Sequence, residues 1–279
     1  MATTIRNCAL AGLAGLFVAA AAAQAQAQSL VPHRAIYELV QVEVSDRSGL
    51  RGITGLMSVD FDGSVCDGYT TNIRLAMKIT RRRGRTLISD LRINTWEDGR
   101  GRKFTFSNRQ KINSRLTENS SGRVQRGENG IKGHGVMLKP RPQTFKVPAK
   151  AIFPSDFSLR VLEAAKQGKR IYKTLVFDGT DTTKSVRAIA LIGKRKPGSD
   201  IKLTVKNPSA IAKLNQVPAW VIDVSYFPLD KAHTDQTPSY RSVLEIYQNG
   251  VVAGLRMEYS DFTLRGELKA IDLKPAPKC

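Results

Sequence analysis

An all-β, mainly antiparallel chain is what the sequence predicts, and three observations carry that reading. Two late stretches alternate with period two. Trp220, Ile222, Val224 and Tyr226 stand against Val221, Asp223 and Ser225, and Leu255, Met257 and Tyr259 stand against Arg256, Glu258 and Ser260. Such alternation marks strands with one face inward. Turn dipeptides punctuate the chain at Asp62-Gly63, Asp67-Gly68, Asp98-Gly99, Asn129-Gly130, Asp178-Gly179 and Asn249-Gly250. Each suits a two-residue or bulged hairpin, and hairpin-joined strands run antiparallel. Only one stretch has clear helical spacing. The 279 residues are 41% hydrophobic and 24% charged, a globular balance that excludes a wholly disordered chain.

The first element is an address. Arg6 precedes an apolar run over residues 8–23, and Ala23-Gln24-Ala25 and Ala25-Gln26-Ala27 both fit a small-x-small cleavage pattern. Residues 1–27 therefore read as a secretory signal peptide cut after Ala25 or Ala27. The run is shorter than the roughly 20 residues of a membrane span, and no later stretch is long and apolar enough to span. The expected mature chain, 28–279, is exported and not membrane-spanning.

Export reshapes the meaning of charge. Forty-four Lys and Arg against 24 Asp and Glu give +20, which calls for a polyanionic partner. Outside the cytoplasm that partner is an envelope component such as anionic lipid, not nucleic acid. Export also sets the cysteine chemistry. Cleavage removes Cys8 and leaves Cys66 and Cys279, and exported compartments are oxidising. The reading is one internal bond closing a loop of about 214 residues, worth roughly 5 kcal/mol at most in the chain-entropy treatment. An intermolecular bond or two free thiols are the alternatives.

Through the first half, the charge concentrates. Residues 66–115 hold 13 Lys and Arg against 4 Asp and Glu. Arg81, Arg82, Arg83 and Arg85 fall at one predicted hairpin tip, and Arg100, Arg102 and Lys103 at the next. If both tips share one end of the sheet, they form an anion-binding rim, since arginine forks suit phosphate oxygens. A solvated turn surface explains the same residues. Residues 113–135 are polar and read as loose. Residues 140–154 hold four prolines, cannot be a central strand, and read as the connection between halves 28–139 and 150–279 of a single domain.

The helix follows. Ser155 can cap it after Pro154; Phe157, Val161, Leu162 and Ala165 form one stripe; Gly168 ends it. Its short amphipathic face is expected to plug the sheet. Residues 171–177 and 186–192 are apolar on both faces and read as deeply buried strands. Asn249-Gly250 joins 240–248 to 251–260 as the clearest hairpin. After Ser260 the apolar face passes to Phe262, Leu264, Leu268 and Ala270, a slip that suggests a bulge or bend rather than a stop.

In order along the chain, residues 31–37 (Val-Pro-His-Arg-Ala-Ile-Tyr), 66–71 (Cys-Asp-Gly-Tyr-Thr-Thr), 96–99 (Trp-Glu-Asp-Gly), Phe153-Pro154, 247–251 (Tyr-Gln-Asn-Gly-Val), 259–268 (Tyr-Ser-Asp-Phe-Thr-Leu-Arg-Gly-Glu-Leu) and the late Cys279 resemble the envelope integrity protein B family of exported bacterial proteins. The resemblance spans the mature chain. It implies a periplasmic location, a broken β-spiral or open barrel-like sheet with one short helix, a bridge between Cys66 and Cys279, and a role in maintaining the envelope without known catalysis. The family fold is similar to the periplasmic carriers and outer-membrane receptors of lipoprotein sorting, which is fold-level analogy only.

Catalytic patterns are thin. His33 lies at a strand start, His134 in Gly133-His134-Gly135 reads as loop, and His233 lies between Asp230 and Asp235. The last could orient a base for Ser239, but no nucleophile-elbow motif supports a triad and a surface turn explains the residues equally. The same three residues make no stronger case for a metal, and three histidines with three cysteines argue against a multi-ligand zinc protein. Glu97 and Asp98 point to opposite faces of a strand and read as turn and rim residues, and Gly99-Arg100-Gly101-Arg102 lacks what a phosphate loop needs. No cofactor is expected. The reading is therefore a non-enzymatic envelope protein that binds an envelope component or periplasmic protein. The alternatives are a lipid or lipoprotein carrier with an apolar groove, and a hydrolase acting on wall or lipid with His233 as base.

Overall fold

The computed structural model describes residues 29–127, 132–180, 183–229, 237–275 and 277. Its first eight strands form an uninterrupted antiparallel meander: β1 (His33–Val44), β2 (Leu50–Ser64), β3 (Gly68–Arg81), β4 (Leu87–Glu97), β5 (Lys103–Ile112), β6 (Arg115–Gln125), β7 (Gly133–Lys139) and β8 (Gln143–Val147). The chain then passes through β9 (Ala151–Ile152), helix α1 (Pro154–Lys166), β10 (Ile171–Val176), β11 (Val186–Ile192), helix α2 (Pro208–Asn215), β12 (Ala219–Pro228), β13 (Tyr240–Tyr247), β14 (Val252–Glu258) and β15 (Phe262–Leu273). β15 pairs with β1, which places all 15 strands in one sheet ordered β8 to β1, then β15 down to β9. Its two edge strands, β8 and β9, are separated in sequence by only residues 148–150. The sheet is therefore nearly closed, barrel-like, with a single seam. The parallel β9–β10 pair is the one departure from antiparallel pairing among the described ladders.

Cross-strand register sorts the side chains between two faces. Met57 pairs with Leu75 and Leu75 with Leu91, so an apolar band runs across β2, β3 and β4 on the inner face. One residue along, Arg74 pairs with Arg92 and Arg92 with Arg109, a basic stripe on the outer face partly met by Asp90 at 3.0 Å from Arg74. The period-two geometry of a strand separates these sets by construction. The dense arginine content of the first half is thus held outside the core or at the turns.

Several expectations need correction. The slip after Ser260 is a stop: β14 ends at Glu258, Tyr259 N–H donates to the Phe262 carbonyl at 2.9 Å, and β15 starts afresh. Residues 113–135 are mostly strand. Asn113 and Ser114 take positive φ of 47° and 67° and turn β5 into β6, whose inward positions are small, Ser120, Gly122 and Val124. Small inner side chains hide a strand from hydropathy. β10 and β11 are not buried on both faces, since Ile171 and Leu191 are about half exposed; they lie near the β9 edge. The proline-rich stretch is more than a connection: the edge strand β8 lies between its prolines, Pro142 and Pro148. A second helix, α2, lies where the sequence shows no clear helical spacing. Asn207 caps it by accepting from Ala210 N–H, with Pro208 in its first turn.

Candidate functional site

Helix α1 fills one end of the barrel interior. Its stripe packs Phe157, Val161, Leu162 and Ala165 against Phe61 and Tyr69 from the early strands and against Trp220, Ile222 and Ile246 from the late ones. Ser155 is not its cap. Phe153 occupies that position without a side-chain bond, and the cap comes from 58 residues away: the Glu97 carboxylate accepts from Ser155 N–H at 2.7 Å and Asp156 N–H at 3.0 Å. A carboxylate at a helix N-terminus meets both the orphan donors and the dipole. Glu97 is buried, not a rim residue, and its burial raises its pKa to about 7 against the lowering effect of those two bonds. Arg126 adds an ion pair to Asp156 at 3.3 Å.

The seam closes with rings instead of ladder bonds. Phe104 stacks on Phe153 with centroids 5.0 Å apart, and Phe177 meets Phe104, Phe106 and Phe145. Asn108 donates to the Gly179 carbonyl at 2.8 Å, and a Cβ at Gly179, whose φ is +74°, would lie 2.6 Å from the Phe106 ring. These contacts fix a stagger. The turn after β10 comes level with the middle of β5, so the last four residues of β5, roughly 13 Å of strand, extend beyond it with the neighbouring early hairpins.

Beyond the plug the interior opens into a cavity of about 990 Å³, at the top of the roughly 300–1,000 Å³ range of ligand pockets. Ile73, Leu75, Leu91 and Ile93 form its early wall, and Tyr226, Tyr240, Leu255 and Met257 its late wall. Its rim carries the polar atoms of Lys146, Asp178, Thr180 and Ser239. Burial raises the phenols facing it: Tyr226 to about 12, and Tyr240 and Tyr259 upward as well. They are neutral hydroxyls at any physiological pH. Among the described residues the Ser185 hydroxyl beside this cavity is buried without a hydrogen-bond partner. A smaller cavity of about 260 Å³ lies toward the helix, with Met57 and Leu255 lining both. His33 is in its wall, held by the Val31 carbonyl at 2.8 Å and made less basic by burial.

The predicted rim does not form as one site. Successive turns of a meander lie at opposite ends of the sheet. Arg81, Arg82, Arg83 and Arg85 surround the β3–β4 turn, whereas Arg100, Arg102 and Lys103 sit at the β4–β5 turn, one strand length away. Arg102 there pairs with Asp98 at 3.8 Å. Cys66 lies in the exposed β2–β3 turn and is disulfide-bonded; Cys279 lies outside the described residues, as do the signal segment, Asn129-Gly130 and the Asp230, His233 and Asp235 group. Ser239, the nucleophile considered with them, donates to the Tyr226 carbonyl at 3.2 Å. His134 is an exposed strand residue of β7, not a loop residue. The lining comes from eight separate stretches of the chain that only the curled sheet brings together, so no local pattern marks it as a groove, although Tyr226, Leu255, Met257 and Tyr259 lie on faces that the alternation reads as inward. Among the described residues no group of three metal-ligating side chains occurs, and no helix is long and apolar enough to cross a membrane.

Comparison with known proteins agrees with this architecture. The sequence model of the EipB-like family matches residues 24–275. The chain is 32% identical over 266 residues to the cell envelope integrity protein EipB of Brucella abortus strain 2308, covering 94% of this chain and 89% of that protein. A crystal structure from Brucella abortus, described as a beta-barrel-like protein with a domain of unknown function, superposes with a TM-score of 0.80 at 30% identity, covering 89% of this chain and all of that one.

Proposed function

The chain belongs to the EipB-like family, and on that premise we propose that it is an exported, non-enzymatic periplasmic protein that supports the cell envelope by holding an apolar part of an envelope component inside its barrel. The cavity of about 990 Å³ between the early and late walls carries this reading. It is lined by aliphatic and neutral aromatic side chains, with polar atoms at its rim. That chemistry suits an acyl chain, each buried methylene of which contributes about 0.8 kcal/mol. The related protein's name places it in envelope integrity, and the signal-like segment supports export.

The same cavity favours a second reading, a lipid or lipoprotein carrier that releases what it holds. A fluorescent acyl probe separates the readings. Saturable binding at micromolar concentrations, lost in Leu75→Trp, supports an occupied interior, and transfer of the probe between donor and acceptor vesicles then marks a carrier. No saturable binding removes both. The proposed bond between Cys66 and Cys279 holds the end of the chain to the β2–β3 turn. Intact mass after alkylation should show no free thiol in the secreted form, and two alkylated cysteines would remove the tether.

A further inference from the structure

The meander places four turns side by side at one end of the early half: 45–49, 82–86, 113–114 and 140–142, joining β1 to β8 in adjacent pairs. We propose that these tips dock the protein end-on onto an anionic phospholipid surface. Residues 45–51, 81–86, 111–115 and 139–143 carry ten basic side chains against one acid, Asp46. All ten are exposed except the half-buried Lys111. Among the described residues only Arg82 of these ten forms an ion pair, with Asp46 at 2.7 Å, so the remaining charge faces solvent uncompensated.

Two features select a surface over a small anion. The charges are spread over four exposed turns about 10 Å apart, with no convergent buried donor that would enclose one phosphate. Apolar side chains also stand beside them: Ile88, Leu116 and Leu138 are 51%, 45% and 48% exposed. Basic and apolar groups together match the boundary of headgroup and acyl chain. The connection over 193–218 at the other end is basic too, but Lys196 there pairs with Glu245, and Ile201, Val205 and Leu214 turn inward. It presents no exposed large apolar residue. The early tips share an end with the late-half turns that rim the cavity: the 45–49 tip meets the 259–261 turn through Ser45 N–H and the Asp261 carbonyl at 2.8 Å, the β5–β6 tip extends beyond the turn after β10, and Met77, Ile79 and Leu87 line the inner face between cavity and tips. Docking would therefore bring the cavity mouth to the bilayer, although the proposal requires no occupant in the cavity.

Vesicle sedimentation of the mature chain tests it. Binding is expected to phosphatidylcholine vesicles containing phosphatidylglycerol, to fall with salt, and to be absent with phosphatidylcholine alone. The triple change Arg81→Glu, Arg83→Glu and Arg85→Glu, which spares the Arg82 pair, should weaken partition about a hundredfold or more. The charge-matched triple Arg100→Glu, Lys103→Glu and Lys150→Glu, also at exposed positions but at the opposite end of the early strands, should weaken it several-fold at most. Leu116→Ser with Leu138→Ser should weaken it a few-fold with the salt dependence unchanged. Equal losses from the two triples would reduce the effect to net charge and overturn the proposal, as would equal binding to phosphatidylcholine alone. Unchanged thermal midpoints in each variant exclude a folding failure.

Discussion

The two ends of the barrel interior solve the same problem differently. Toward the helix, α1 takes up most of the space with a stripe that meets walls from both halves of the sheet, leaving only a cavity of about 260 Å³, and Glu97 reaches across to satisfy the helix start. Toward the late-half turns, the apolar walls stand apart around a cavity of about 990 Å³. Dense packing is the normal state of an interior. On the proposed function the open end is where an occupant sits, and the contrast then divides residues that hold the fold from residues that would line a bound group.

Substitutions should respect that division. The largest effect is expected at Trp220, which is 1% exposed against the helix: Trp220→Ala should lower stability by roughly 3–5 kcal/mol in a denaturant melt. A loss below about 1 kcal/mol would mean the plugged end is as loosely packed as the open one.

Glu97 comes next and has a pH signature. The unfolded carboxyl titrates at the ordinary value, while burial raises the folded group to about 7. The folded state therefore holds the extra proton between those values. This contribution to stability is complete in acid and lost as pH rises through the folded value. Replacing Glu97 with Gln removes the titration, so the stability of the native protein relative to Glu97→Gln should fall as pH rises from about 5 to about 8. A difference that stays flat, or one that grows with pH, would assign the helix cap to a carboxylate ionised throughout.

How much of this could be read beforehand follows from where the signals live. The helix stripe, the Asn249-Gly250 hairpin and the antiparallel class depend on neighbours in sequence, and local patterns report them well. The cap on α1 does not. Ser155 looked like the cap because it follows the rules for a local one, whereas the acting group, Glu97, lies 58 residues upstream. The arginine rim failed for a topological reason. Hairpin tips adjacent in sequence are at opposite ends of the strand between them, and the tips that do gather are every second one. β6 went unseen because its inward residues are small and its neighbours polar. The cavity was legible only as the apolar concavity a curled sheet should have, since its walls meet through the β15–β1 pairing and the seam.

The smallest effect sharpens the contrast from the open side. Leu75 is only half-buried and lines the cavity, so Leu75→Ala should cost about 1 kcal/mol or less, far below Trp220→Ala. A cost matching that of Trp220 would make the cavity wall part of the folding core.

On the proposed function the open end is a binding volume. Titration of a fluorescent fatty acid into the mature chain, beside the same titration into Leu75→Trp, tests it most directly. Saturable binding at micromolar concentrations is expected in the native chain, with loss of that binding in the variant at unchanged melting temperature. Equal probe binding by both proteins, or none by either, would contradict it.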